Sequence, residues 1–281
     1  MTDIEKLEKI ASQVRRDIVR MVHGAASGHP GGSLGCAELF TALYFEIMDV
    51  NPENFSMDGK NEDLFFLSNG HISPVWYAVL ARKGYFPVEE LATFRKIDSR
   101  LQGHPATKEK LEGIRVASGS LGQGLSVAIG AALSKKLNQD NRLVYVLMGD
   151  GEQQEGQIWE AAMFAAQHKV DNLIGIIDYN NRQIDGDVDQ ILGPVNLAET
   201  YKSFGWTVLQ TDGNNMQEVI SCLNKAKGLT RDGKPVLIIA KTEMGMGVDF
   251  MMGSHEWHGI APNDEQLERA LQQLPETISD Y

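Results

Sequence analysis

Asp150 stands between two glycines, and Asn180 follows thirty positions later within a polar run, Asp178-Tyr179-Asn180-Asn181. Both side chains offer hard oxygen donors, the chemistry that holds Mg²⁺ or Ca²⁺ when phosphate oxygens complete the shell. Gly149 and Gly151 let the backbone approach a diphosphate, and a helix starting just beyond them would favour its charge. An isolated Gly-Asp-Gly is most often only a tight turn. The asparagine at the end of the next strand-like run separates the two readings. A second chemical set is histidine: His29, His71, His104, His255 and His258 all sit in glycine-flanked loops. Imidazoles in such loops suit proton transfer and hydroxyl binding near neutral pH. His23 and His168 fall in helical segments, where a structural role is the simpler reading. A zinc site is disfavoured, because no histidine pair has ligand-set spacing and Cys36 and Cys222 lie apart from them.

The elements that must position these groups are readable around them. Leu143 to Met148 is a continuous apolar run suited to a buried strand, Ile158 to Ala166 suits a helix, and Leu173 to Ile177 is a second buried strand. That βαβ unit brings Asp150 and Asn180 to one edge of a parallel sheet, where ligands of such sheets bind. Upstream, the chain opens with an amphipathic helix from Ile4 to Val22. A glycine-rich loop spans residues 27–35, helical character resumes from Ala37 to Met48, and a short strand covers Leu64 to Leu67. Helices are predicted at Pro74 to Lys83 and Val88 to Lys96, and the loop 118–124 opens a helix to Leu137. Downstream come a helix at Leu197 to Phe204, a strand at Thr207 to Leu209, a helix at Met216 to Ala226 and a strand at Val236 to Ala240. Helices alternating with short buried strands predict an α/β fold, a doubly wound, mostly parallel sheet with helices on both faces. No repeat or composition break divides it, so residues 1–281 read as one domain.

Composition narrows the partners. With 42% hydrophobic residues and a net charge of −12, the chain reads as globular and suits neither nucleic acid nor an anionic membrane surface. An anionic substrate would require local histidines or another chain to overcome that field. The two cysteines read as reduced core thiols, and the N-terminus lacks the basic and apolar regions of a signal peptide, so a cytoplasmic location is expected. No apolar stretch is long enough to span a bilayer.

The Gly-Asp-Gly followed by Asn180-Asn181 resembles the thiamine diphosphate signature. Around it, Ser27-Gly28-His29-Pro30-Gly31, Asn69-Gly70-His71, Gly103-His104-Pro105, Ser120-Leu121-Gly122-Gln123-Gly124 and Trp257-His258-Gly259 resemble transketolase motifs in transketolase order. The resemblance covers essentially the whole chain. It implies a thiamine diphosphate cofactor with Mg²⁺ (or Ca²⁺ or Mn²⁺) held by Asp150, Asn180 and the backbone carbonyl of Arg182. It implies that Ile184 packs on the cofactor beside Gly149 and Gly151, and that Gly119 and Leu121 give backbone contacts to the aminopyrimidine ring. His29 and His104 would address the hydroxyls of a ketose, while His71 and His258 would lie by the diphosphate and reacting carbons, with His258 also able to move a proton. Glu155 and Glu160 match acidic residues of a subunit interface, although a solvated helix face explains Glu160 equally well. Transketolases are longer chains whose second domain holds the far ring of the cofactor. The sequence therefore resembles the N-terminal subunit of a split transketolase, joined to a separate C-terminal subunit in a heterotetramer and acting on sugar phosphates. A relative specialised for a sulfonated or branched ketose fits as well. The α subunit of a 2-oxo acid dehydrogenase fits less well, because the loop motifs argue against it, and a non-enzymatic relic fits least, because the metal pair and loop histidines are intact.

Overall fold

The computed structural model describes residues 2–193 and 196–281. In chain order the elements are α1 (Ile4–Gly24), α2 (Pro30–Gly35), α3 (Ala37–Ala42), β1 (Leu64–Leu67), α4 (Ser73–Lys83), α5 (Gln123–Leu137), β2 (Val144–Gly149), α6 (Gly156–Gln167) and β3 (Leu173–Tyr179). There follow a hairpin, β4 (Arg182–Gln183) with β5 (Gly186–Asp187), then α7 (Val188–Leu192), α8 (Leu197–Phe204), β6 (Thr207–Asp212), α9 (Met216–Gly228), β7 (Val236–Lys241) and α10 (Asp264–Gln273). Five strands make one all-parallel sheet in the order β1-β2-β3-β7-β6.

Strands buried on both faces read as unbroken apolar runs rather than alternating ones, and that is what β1, β2 and β7 are. Their side chains still alternate. Tyr145 and Leu147, Ile174 and Ile176, and Val236 and Ile238 pack into one core with α1, α3, α4 and α9. Val144, Val146 and Met148, Leu173 and Ile177, and Leu237 and Ile239 pack into a second core with α5, α6 and α8. The last two strands enter in reversed order, which puts α9 on the face opposite α8, as right-handed crossovers require.

The helices form for local reasons as well. At α1 the Asp3 side chain accepts from Lys6 N–H at 3.0 Å, and its apolar stripe from Leu7 to Val22 is buried. At α10 Asn263 and Gln266 cap each other's backbone in a capping box. Among the described residues no helix is long and apolar enough to cross a membrane.

Several sequence expectations shift. Residues 30–35 form a short helix instead of a loop, with Pro30 at its first turn. The helix expected over 88–96 is a tighter turn, Val88–Thr93, and Arg95 beyond it takes a left-handed conformation at φ 58°. The helix from Ala37 becomes a wide turn at Leu43–Ile47. The strands β3 and β6 run past their predicted ends, because polar residues there still pair with β7.

One buried ion pair joins α1 to α4. Arg82 presents its fork to Asp17, Nε and Nη2 each 2.8 Å from a carboxylate oxygen, and Asp17 is wholly inaccessible. Burial pushes the Asp17 carboxyl up, and the Arg82 hydrogen bonds pull against that shift. Arg82→Ala would strand the carboxylate and should cost about 3–5 kcal/mol of unfolding free energy in urea titration. Lys9→Ala, which breaks the exposed Lys9–Glu5 pair, should leave the urea midpoint nearly unchanged. Equal losses from the two substitutions would show that the α1–α4 pair is not what anchors these helices.

Candidate functional site

The strand register sets the centre of the site. Gly149, the last residue of β2, pairs with Asp178 of β3, and Asp150 N–H donates to the Asp178 carbonyl at 3.2 Å. Asp150 and Asp178 are therefore neighbours at the carboxyl edge, each only 2% exposed. Asp150 accepts from Gly151 N–H at 2.7 Å and from Asn181 N–H. Asp178 accepts from the Thr242 hydroxyl and from Asn180 Nδ2 at 2.9 Å, and the Cys36 thiol lies beside it. Burial pushes the Asp150 carboxyl up to about 7, the Asp178 charge adds to the rise, and the backbone N–H bonds oppose it. Burial likewise raises Asp178.

The histidines come from three different loops. α2 is pressed against the segment after β7: a Cβ at Gly31 would strike Met244 and the Trp257 carbonyl, and one at Gly35 the Glu243 carbonyl. That close approach brings His29, the residue before α2, onto His258. Ring centroids are 5.5 Å apart for His29–His258, 5.1 Å for His29–His71 and 5.0 Å for His71–His258. Burial lowers the pKa of all three, and for His29 and His71 neighbouring His258 adds to it. His29 falls to about 4, with Arg95 and His104 contributing further. His104 lies against Gly119, whose φ of 112° leaves no room for a Cβ over that ring, and burial lowers His104 too. His255 stays at the margin, in the short turn that carries His258.

These neutral rings correct one sequence expectation. Local histidines were one of two ways to overcome the net charge of −12 for an anionic ligand. For His29, His71, His104 and His258 burial favours the neutral ring, which suits them to hydrogen bonding more than to carrying charge.

A cofactor with a metal-bound diphosphate fits the residues present. Buried polar atoms without partners gather here: Asn69 Oδ1, His29 Nδ1, His258 Nδ1, Ser118 Oγ and Gln183 Nε2. Gln183 borders Gly151, Asn69 borders Gly149 and Ser118 borders Gly70. Groups of this kind require partners. The acid pair Asp150–Asp178 has no cation beside it among the described residues, and a divalent ion would supply the missing charge. No group of three or more His, Cys, Asp or Glu among the described residues is arranged to hold a metal, so the zinc alternative finds no ligand set there. A metal at Asp150 would have to draw on amide and backbone oxygens as well.

Asn180, Arg182 and Ile184 follow in the turn and hairpin after β3. Asn180 Oδ1 accepts from Arg182 N–H at 2.9 Å, the Arg182 guanidinium pairs with Asp187, and Ile184 is 65% exposed. Leu121 is partly exposed, in the loop beside His104 and Gly119. Glu155 and Glu160 are exposed, at the start of α6 and along it. Sequence reasoning left Asp178, Cys36, Thr242, Gln183 and Glu152 out of the site. Asp178 had a signal, being a carboxylate at the end of an apolar strand; Cys36 and Thr242 join only through tertiary contact. The helix expected over Ile158 to Ala166 starts two residues earlier, at Gly156, and a tight turn, Gly151–Gln154, fills the gap after the Gly-Asp-Gly.

Acids and amides at adjacent strand ends, together with a cluster of buried imidazoles, are the features of an α/β domain that suits an anionic, metal-bound cofactor. Residues 6–276 match the family described as transketolase, thiamine diphosphate binding domain. The chain belongs to the transketolase family. It is 38% identical over 275 residues to an apulose-4-phosphate transketolase subunit of Phocaeicola vulgatus, covering 98% of this chain and 96% of that one. It is 38% identical over 268 residues to the 6-deoxy-6-sulfo-D-fructose transketolase subunit SqwG of Clostridium sp., covering 95% and 96%. The solved transketolase of Campylobacter jejuni superposes with a TM-score of 0.88 at 35% identity, covering 97% of this chain and 43% of that one. The chain thus spans less than half of the long transketolases and nearly all of the chains named as transketolase subunits.

The imidazole cluster makes a measurable statement. His29 is neutral when folded and charged when unfolded between about pH 4 and 6.5. The unfolded chain binds the extra proton in that window, so His29 removes stability as pH falls through it. In an NMR titration the ring assigned by His29→Asn should remain neutral at pH 5.5 and titrate near 4. Titration at 6.5 would mean that the cluster is open to water and the imidazole packing is wrong.

Proposed function

We propose that this chain is the thiamine diphosphate-binding subunit of a two-subunit transketolase that moves a two-carbon ketol unit from a ketose phosphate to an aldose phosphate. The observation that carries the reading is the buried Asp150–Asp178 pair, without a neighbouring cation, at the carboxyl edge of a parallel sheet in a chain that also packs His29, His71 and His258 ring against ring. The near-complete overlap with chains that are themselves named as transketolase subunits supports the split arrangement. In this reading residues 1–281 act as one diphosphate- and metal-binding domain. The C-terminal subunit brings the pyrimidine-binding and C-terminal domains, two of each chain form a heterotetramer, and the assembly works in the cytoplasm, within pentose phosphate metabolism.

Bound thiamine diphosphate supplies the electron sink for carbon–carbon cleavage. This chain does the holding. Asp150, Asn180 and the carbonyl of Arg182 take the Mg²⁺, for which Ca²⁺ or Mn²⁺ can stand. Gly149 and Gly151 admit the diphosphate, and the exposed Ile184 offers an apolar surface. Gly119 and Leu121 turn backbone groups toward the aminopyrimidine ring. A neutral imidazole has one donor and one acceptor nitrogen, which suits His29 and His104 to ketose hydroxyls. His71 and His258 flank the diphosphate and reacting carbons, and His258 holds or moves a proton there. Glu155 and Glu160 face the subunit interface.

A second reading, an unusual ketose as donor, is favoured by the relatives named for apulose 4-phosphate and for 6-deoxy-6-sulfo-D-fructose. Both readings use the same residues of this chain.

Asp150→Ala should weaken thiamine diphosphate binding in the presence of Mg²⁺ by more than the roughly 10- to 100-fold that loss of an outer-shell partner costs. Calorimetry with and without a chelator measures it, and an unchanged affinity would remove Asp150 from the metal site. A coupled ketol-transfer assay on this chain, the partner and the mixture tests the division of labour. Activity is expected only from the mixture; full turnover by the purified chain alone would refute the two-subunit reading. In the mixture, His29→Ala and His104→Ala should lower turnover of ketose donors while leaving cofactor affinity nearly unchanged.

A further inference from the structure

Two residues past Asp150, Glu152 is buried at 3% exposure and no cation pairs with it among the described residues. Its charge is met by three donors from three segments. Oε1 accepts from Gly122 N–H at 2.8 Å and from the Ser68 hydroxyl at the end of β1, and Oε2 accepts from Gly149 N–H at 3.0 Å. Ser68 Oγ in turn accepts from Gly124 N–H at 3.1 Å, at the start of α5. Gly122 holds a φ of 84°, and a Cβ there would lie 2.9 Å from Glu155 Cβ, so the loop has little freedom to find another seat. On the opposite flank Gln153 donates to the Gly149 carbonyl at 2.9 Å and accepts from Tyr201 at 2.8 Å, tying the same turn to α8.

We infer that Glu152 is a positioning residue that locks the 119–122 loop to the Gly149–Gly151 turn, so that the two loops meeting opposite ends of the cofactor move as one unit. This rests on the cofactor reading above. A carboxylate is required because both oxygens must accept. Glutamine keeps the shape but turns one acceptor into a donor, and either Gly122 N–H or Gly149 N–H then faces a donor. Glu152 itself need touch neither the cofactor nor the substrate. A ligand that spans both loops depends on their spacing, whereas one that occupies only the diphosphate turn does not.

The test titrates this chain mixed with its partner subunit by calorimetry with thiamine diphosphate and, separately, with inorganic diphosphate, each with Mg²⁺. Glu152→Gln should weaken thiamine diphosphate roughly tenfold or more, the scale of one charge-assisted hydrogen bond, and inorganic diphosphate by no more than about threefold. Amide exchange of the peptides holding Gly122 and Gly149 should speed up while the sheet remains protected. Ser68→Ala, which removes only the hydroxyl, should shift both readouts in the same direction by less. Equal weakening of both ligands, or unchanged exchange at the two glycines, overturns the inference while the cofactor reading stands. A wild-type mixture that binds neither ligand refutes the cofactor reading and takes this inference with it.

Discussion

The site depends on two carboxylates buried side by side with no cation between them. Like charges at adjacent strand ends repel, and in a poorly solvated edge the repulsion is several times what it would be in water. The fold holds the arrangement by register, because Gly149 opposite Asp178 is fixed by the full length of the β2–β3 ladder. A one-residue slip would turn Asp178 to the other face of the sheet. Around the pair donors gather: Gly151 and Asn181 N–H to Asp150, and Thr242 and Asn180 to Asp178, with the Cys36 thiol beside it. Burial is the larger cause that pushes Asp150 up to about 7, the Asp178 charge adds to it, and the donors soften the rise without cancelling it. A site left in that condition by its own chain is prepared for a divalent ion.

Much of the fold was legible because the strands are buried on both faces. Apolar runs such as Leu143 to Met148 and Val236 to Ala240 leave little choice of state. Reading failed where tertiary contact outweighed local composition. Residues 30–35 carry three glycines and read as a loop, yet close packing against Met244, Trp257 and Glu243 makes them a helix. The hairpin of β4 and β5 was missed because two-residue strands carry no periodicity. The last helix had a usable signal in Asn263 and Gln266, three apart and ahead of the amphipathic run, and it went unread.

The site was legible in a similar, uneven way. Residues in a local motif could be placed from the sequence: Asp150, the histidines beside glycine, and the loop at 118–124. Cys36 and Thr242 reach Asp178 from elements over a hundred and about sixty residues away, and no spacing rule joins them. Glu152 sits inside the motif and was passed over, since a charge one residue beyond a glycine turn ordinarily reads as solvated. Burial against Ser68, Gly122 and Gly149 is what changes its meaning.

The protonation states then assign charge and shape recognition to different ends of the site. A chain of net charge −12 that is to hold an anionic cofactor requires positive charge from somewhere. Imidazoles are the obvious local source, but burial lowers His29 to about 4 and His71 well below its ordinary value. They can offer one donor and one acceptor each near neutral pH, which gives hydrogen bonds but adds no positive charge against a diphosphate. The burden of charge falls on the end where Asp150 and Asp178 wait for a metal. The acid pair and the histidine cluster thus differ in kind: burial without counter-charge suits the first to a cation, and burial without protonation suits the second to hydrogen bonding and not to charge.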